Sequence, residues 1–77
     1  MKAYVLIEIA AGKVSSVVKS LRQLEEVQSA DSLTGMYDAI AVVETPDPEG
    51  IRNVVTEKLH TTEGITRTLT CFAVEIP

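Results

Sequence analysis

The segment Lys2 to Ile9 reads KAYVLIEI, and its apolar side chains do not alternate with polar ones. Successive side chains of a strand point to opposite faces, so Val5, Ile7 and Ile9 fall on one face while Tyr4 and Leu6 fall on the other. The stretch Tyr37 to Glu44 repeats the feature, with Ile40 and Val42 opposing Ala39, Ala41 and Val43. A sheet wet on one side alternates apolar with polar residues, whereas strands apolar on both sides need cover on both. Cover is scarce in 77 residues, of which 45% are hydrophobic. A chain of this size removes only about 60 to 65% of its unfolded surface from water. Each Val, Leu or Ile left exposed forgoes about 1.5 to 3 kcal/mol.

Other segments supply the remaining elements. Ala10-Ala11-Gly12 breaks the first strand, and between Lys13 and Glu25 the residues Val14, Val17, Val18, Leu21 and Leu24 recur at helical spacings. Val27 to Leu33 and Tyr37 to Glu44 read as two strands joined as a hairpin around Thr34-Gly35. Asp47 and Pro48 suit the cap and first turn of a second helix, whose stripe is Ile51, Val54, Val55 and Leu59 and which ends near His60. After Thr61-Thr62-Glu63-Gly64, Ile65 to Ile76 reads as a last, long strand. The order strand, helix, strand, strand, helix, strand is accounted for by one domain over residues 1–77. The predicted fold class is α+β: a ferredoxin-like βαββαβ unit, a four-stranded antiparallel sheet with both helices on one face. The helices can shelter one face only, so the sheet is expected to dimerise through the other, as a two-fold pair.

Eleven acidic residues against seven basic ones, without a cluster of Lys or Arg, disfavour direct contact with nucleic acid or with an anionic membrane surface. No apolar run reaches the ~18 residues of a spanning helix, and the N-terminal segment lacks the pattern of an export signal. A cytoplasmic protein is expected. Cys71, the sole cysteine, lies in an apolar strand pattern, where a buried, inert thiol is expected. His60, the sole histidine, falls near a helix C-terminus and reads as a surface capping residue. One His and one Cys supply no repeated metal-ligand spacing, and no Gly-rich phosphate loop or nucleophile elbow occurs. No catalytic residue, cofactor or metal is assigned.

Two segments stand out. Thr34-Gly35-Met36-Tyr37-Asp38 reads as a turn, with glycine at positive φ and aspartate meeting nearby backbone amides. Gly64-Ile65-Thr66-Arg67-Thr68-Leu69-Thr70 opens the last strand, with Thr66, Thr68 and Thr70 on one face. Together with Leu24-Glu25-Glu26-Val27 at the entry to the second strand, these segments resemble three motifs of the effector-binding domain of the Lrp/AsnC regulators, the RAM domain. They are similar to its leucine-x-x-valine entry, its threonine-glycine-x-tyrosine-aspartate turn and its glycine-valine-x-x-threonine-x-threonine strand opening, and the resemblance covers nearly the whole chain. The family's helix-turn-helix half has no counterpart here, so the resemblance is to a stand-alone effector module.

The resemblance implies a ferredoxin-like fold dimerised through its sheets, further assembly into rings of dimers, and amino acids or related small molecules bound between dimers. Carried over residue by residue, it assigns ligand binding to Gly35, Tyr37 and Asp38 of the turn and to Thr68 and Thr70 of the strand. A free amino acid is a zwitterion. Asp38 could accept from its ammonium, while turn amides and threonine hydroxyls could donate to its carboxylate. The implied activity is regulatory and not enzymatic, exerted on transcription or amino-acid metabolism, with full-length Lrp/AsnC regulators as further candidate partners. Two alternatives share the element order. An ACT-like sensor domain pairs edge to edge, and a small dimeric monooxygenase-type enzyme needs a pocket lined by residues such as His, Asn or Trp.

Overall fold

The computed structural model describes residues 1–77 and has the predicted element order. β1 (Lys2–Ile9) is followed by α1 (Val14–Arg22), β2 (Val27–Ser32) and β3 (Ala39–Glu44). α2 (Pro48–Asn53) then runs on without a break as a π-helical segment (Val54–Leu59), and β4 (Ile65–Phe72) closes the sheet. The four strands lie in the order β2-β3-β1-β4, every neighbouring pair antiparallel. This is an α+β ferredoxin-like arrangement.

Register explains which residues are buried. One face carries the rows Ala39–Ile7–Thr68, Ala30–Ala41–Val5–Thr70 and Val27–Val43–Ala3–Phe72. Against it pack Val17, Val18 and Leu21 of α1, Ile51 of α2, and Val54, Val55 and Leu59 of the π-helical segment, all buried in one core. The small Ala39 and Ala41 of β3 let α1 approach closely, while Ile7 and Val5 of β1 supply volume. The opposite face carries the rows Asp31–Ile40–Leu6–Leu69 and Ser29–Val42–Tyr4–Cys71. No element of the chain covers it, and the shortest extent of the molecule, 17 Å, is that of one sheet and one helical layer. Tyr4 remains 39% exposed there and Leu69 46%. No helix is long and apolar enough to cross a membrane.

Several expectations shift at the edges. α1 ends at Arg22 and not at Glu25, because Gln23 and Leu24 donate to Ser20 and Leu21 in a tightened last turn that leads into Val27. β4 stops at Phe72 and not at Ile76: its pairing partner β1 begins at Lys2, whose carbonyl takes the Ala73 amide, and no strand pairs with Val74 to Pro77. β3 starts at Ala39, leaving Tyr37 in the connection. The second helix is capped as expected, with Asp47 Oδ1 accepting from the Gly50 amide at 2.8 Å. Its second half is π-helical and not α-helical. Cys71 corrects the expected buried thiol: it lies on the uncovered face beside Tyr4 and is exposed in the single chain.

Candidate functional site

Three connections gather at one end of the sheet, where β1 and β2 finish and β3 and β4 begin: residues 10–13, 33–38 and 60–64. In the second of these, the Leu33 amide donates to the Asp38 carbonyl at 2.9 Å and closes the loop, while Gly35 takes φ +156° and Met36 stands 91% exposed. Asp38 is tied to β1 twice. Its amide donates to the Ile7 carbonyl at 2.9 Å, and its Oδ2 accepts from the Ile9 amide at 2.7 Å. A side-chain oxygen thus meets the amide that a β3 carbonyl would otherwise take, and the β1–β3 ladder ends at Ile7 opposite Ala39. Asp38 fixes the turn to the sheet with one oxygen and leaves Oδ1 as an open acceptor.

Thr68 and Thr70 lie half-buried on the helix-covered face of the edge strand β4, in the rows of Ile7 and Val5. Thr66 does not join them in register. The β1–β4 pairing shifts between Glu8 and Ile9, and the Thr66 hydroxyl donates to the Glu8 carbonyl at 3.1 Å. Within one chain, β1 runs between Asp38 and Thr68, and none of the surface clefts is lined by Gly35, Tyr37, Asp38, Thr68 or Thr70. The five residues share an end of the sheet but do not enclose a common cavity. The most voluminous cleft, about 530 Å³, is at the opposite end, between Met1, Lys2, Tyr4, Glu44 and the tail from Ala73 to Glu75.

One residue at the site end was not assigned from sequence. His60, read as a surface cap, has its Nε2 3.1 Å from the Thr68 Oγ1. It is set there by the π-helical segment, whose final amide bond runs from His60 to the Val55 carbonyl at 2.9 Å. The apolar stripe Ile51, Val54, Val55 and Leu59 is compatible with either helix type over so short a run, so periodicity carries no signal of the change in winding. The same segment is anchored at Lys58, whose Nζ donates to both oxygens of Glu26 at 2.9 and 2.8 Å. That hydrogen bond, aided by a backbone one, holds the Glu26 carboxyl below its ordinary pKa against a smaller opposing effect of desolvation. Glycine is required at the base of the site. Gly64 takes φ +104° while its carbonyl accepts from the Ala10 amide at 2.8 Å, and a Cβ there would stand 2.9 Å from Val17 Cγ2 and 3.0 Å from Lys13 Cβ.

Comparison with known proteins places this geometry. The Lrp/AsnC ligand binding domain matches residues 2–77. The structure of TTHA0845 from Thermus thermophilus superposes with a TM-score of 0.92 at 33% sequence identity, covering 99% of this chain and 95% of that one. The HTH-type transcriptional regulator FL11 of Pyrococcus furiosus is 28% identical over 74 residues, which are 96% of this chain and 48% of the regulator. The transcriptional regulator NMB0573 of Neisseria meningitidis, solved as a complex with L-Met, has the same fold with a TM-score of 0.85 at 22% identity, over 96% of this chain and 49% of its own. The chain therefore spans about half the length of the two regulators. With a match that begins at β1 and runs through β4 to the last residue, the chain belongs to the Lrp/AsnC ligand-binding-domain family.

Proposed function

We propose that the chain is an amino-acid-binding regulatory domain that works as a homodimer packed through its uncovered sheet face, with the effector bound between copies. The observation that carries this reading is the separation of the five candidate residues by β1 within one chain. The turn presents Gly35, Tyr37 and the open Oδ1 of Asp38, while Thr68 and Thr70 lie beyond β1 on the other side. A ligand that touches both sets is served most simply by the turn of one copy and the strand of another, which agrees with assembly into rings of dimers. Asp38 suits an ammonium and the hydroxyls suit a carboxylate. The L-Met bound by the Neisseria meningitidis regulator supports an amino acid as the ligand class.

The action is regulatory and not catalytic, in keeping with relatives that are transcriptional regulators. Direct DNA binding is not part of the proposal, since the surface of these residues is acidic overall, at -4 formal charge.

The test is thermal unfolding of the purified protein against a panel of the twenty L-amino acids, with light scattering on the same samples. A ligand that binds only the folded state adds RT ln(1 + [L]/Kd), about 2.7 kcal/mol at a hundredfold excess over Kd. For a domain of this size that raises the midpoint by roughly 10 °C or more. Absence of any shift across the panel at millimolar concentration would remove the effector assignment.

A further inference from the structure

The sheet has two edges, β2 and β4, and the chain closes only one of them. On β2 the Ala30 carbonyl points away from the sheet, and Arg22 Nε of α1 donates to it at 2.8 Å while the same guanidinium reaches Asp31 at 3.6 Å. A side chain thus occupies the place where a further strand would pair. On β4 the Ala73 amide donates to the Lys2 carbonyl, so odd-numbered residues face β1, and the backbone groups of Thr68, Thr70 and Phe72 face outward. They have no partner in the chain, and neither lysine nor proline interrupts the edge from Ile65 to Ile76. The tail continues the strand-forming pattern, with Phe72, Val74 and Ile76 exposed at 44%, 79% and 82%.

A second copy of the same segment fits this edge in one register. Two-fold antiparallel pairing must oppose outward-facing residues to one another, so its centre can fall on any residue of β4. Charge decides between the centres. Arg67 and Glu75 are the only charged side chains from Ile65 onward, and neither belongs to an ion pair within the chain, although Glu8 stands opposite Arg67 on β1. Centring on Cys71 sets Arg67 against the partner's Glu75, and symmetry repeats the pair. Centring one residue earlier or later sets Glu75 against the partner's Ile65 or the partner's Leu69 instead. Opposite charges directly across a strand pair stabilise it.

We propose that β4 and the tail after it pair antiparallel with the same segment of a second copy, centred on Cys71, so that two sheets join edge to edge. All helices then lie on one side, and the uncovered face runs on from one copy to the next. The ladder is made of backbone groups, so it uses none of the hydroxyls assigned to the effector, and it is separate from packing through the sheet face. One strand from each copy buries far less than the ~1,200 Å² of a stable interface, so the contact is expected to fill at about 0.1 to 1 mM, above the micromolar range of a face-packed dimer.

Cys71 is the only cysteine and reports the pairing. In this register the two copies of Cys71 oppose each other without a mutual hydrogen bond, their Cα atoms about 4.5 Å apart, which a disulfide can span. Face-packed sheets are about 10 Å apart, too far for the same bridge. Oxidation with copper phenanthroline over a concentration series up to about 1 mM is expected to yield a cross-linked dimer on a non-reducing gel. Arg67→Glu and Glu75→Arg each set like charges against one another and are expected to slow cross-linking about fivefold or more. An equimolar mixture of the two restores both ion pairs, so mixed dimers, identified by mass, are expected to form at close to the wild-type rate. The mixture still carries the repulsion between a glutamate at 67 and Glu8, so relief of that repulsion does not account for the recovery. Both residues are exposed, and unchanged circular dichroism is the folding control. In Leu6→Glu, which disrupts the sheet face, cross-linking is expected to persist; its loss there would overturn the edge as a separate contact. A wild type that does not cross-link, single variants as fast as wild type, or a mixture no faster than its components would each overturn the proposal.

Discussion

Leu6→Glu is the substitution that probes the uncovered sheet face most directly. Leu6 is the middle of the row Ile40–Leu6–Leu69, at the centre of the three strands whose outer side chains are apolar. In a dimer packed through this face the side chain passes from half-buried to buried, worth on the order of 1 kcal/mol. A glutamate in its place forfeits that gain and adds the cost of an unpaired buried charge, about 3 kcal/mol or more after relaxation. A two-fold interface contains the substitution twice, so dimerisation weakens by roughly 8 kcal/mol or more, about six orders of magnitude in Kd. The isolated chain is barely affected, because the carboxylate of an outer-face residue reaches water. Sedimentation velocity over a concentration series is expected to show a wild-type dimer and a Leu6→Glu monomer with the same far-ultraviolet circular dichroism. Val5→Glu, one residue earlier on the helix-covered face at 0% exposure, is expected to unfold the protein outright. A Leu6→Glu protein with an unchanged dimer constant, or a wild type that stays monomeric and folded at micromolar concentration, would refute the argument.

Cys71 lies in the outer row with Tyr4 and Val42, so the thiol is expected to react slowly with a disulfide reagent in wild type and at the rate of a free thiol in Leu6→Glu; equal rates would mean that the face stays open. Gly64→Ala is expected to lower stability by about 1 to 3 kcal/mol, since the added methyl combines a disfavoured φ with contacts inside van der Waals distance of Val17 and Lys13, and urea unfolding measures it. The depressed Glu26 carboxyl contributes stability that is present above the ordinary glutamate pKa and is lost as pH falls below about 4. Lys58→Met is expected to flatten that part of the stability-against-pH curve, and an unaltered acid limb would show that the pair contributes nothing. Asp38→Asn keeps an oxygen for the Ile9 amide but removes the charge, so it is expected to leave the fold and the dimer intact while abolishing the amino-acid response in thermal unfolding.

Much of the fold was legible because alternation and helical periodicity are local. Val5, Ile7 and Ile9 were separable from Tyr4 and Leu6 by parity alone, and the structure buries the first set under the helices. The stripe Ile51, Val54, Val55 and Leu59 named the buried side of the second helix even though its winding changes at Val54. Element ends were less legible, since the end of β4 depends on where β1 begins and the start of β3 on the bond between Asp38 and Ile9. The turn motif marked Asp38 as important without revealing that one of its oxygens is held by the backbone.

The local pattern of side chains by itself determined the element order, the core face and the surplus of apolar strand surface, because each depends on residues within a few positions of one another. Only the tertiary structure decided that His60 meets Thr68, that Lys58 clamps Glu26, that Gly64 lies against α1 and that Cys71 is left on the open face. These are contacts between segments brought together by chain crossovers, where a shift of one residue in register or a change in helix winding redirects every side chain that follows. No pattern within a single segment encodes that choice.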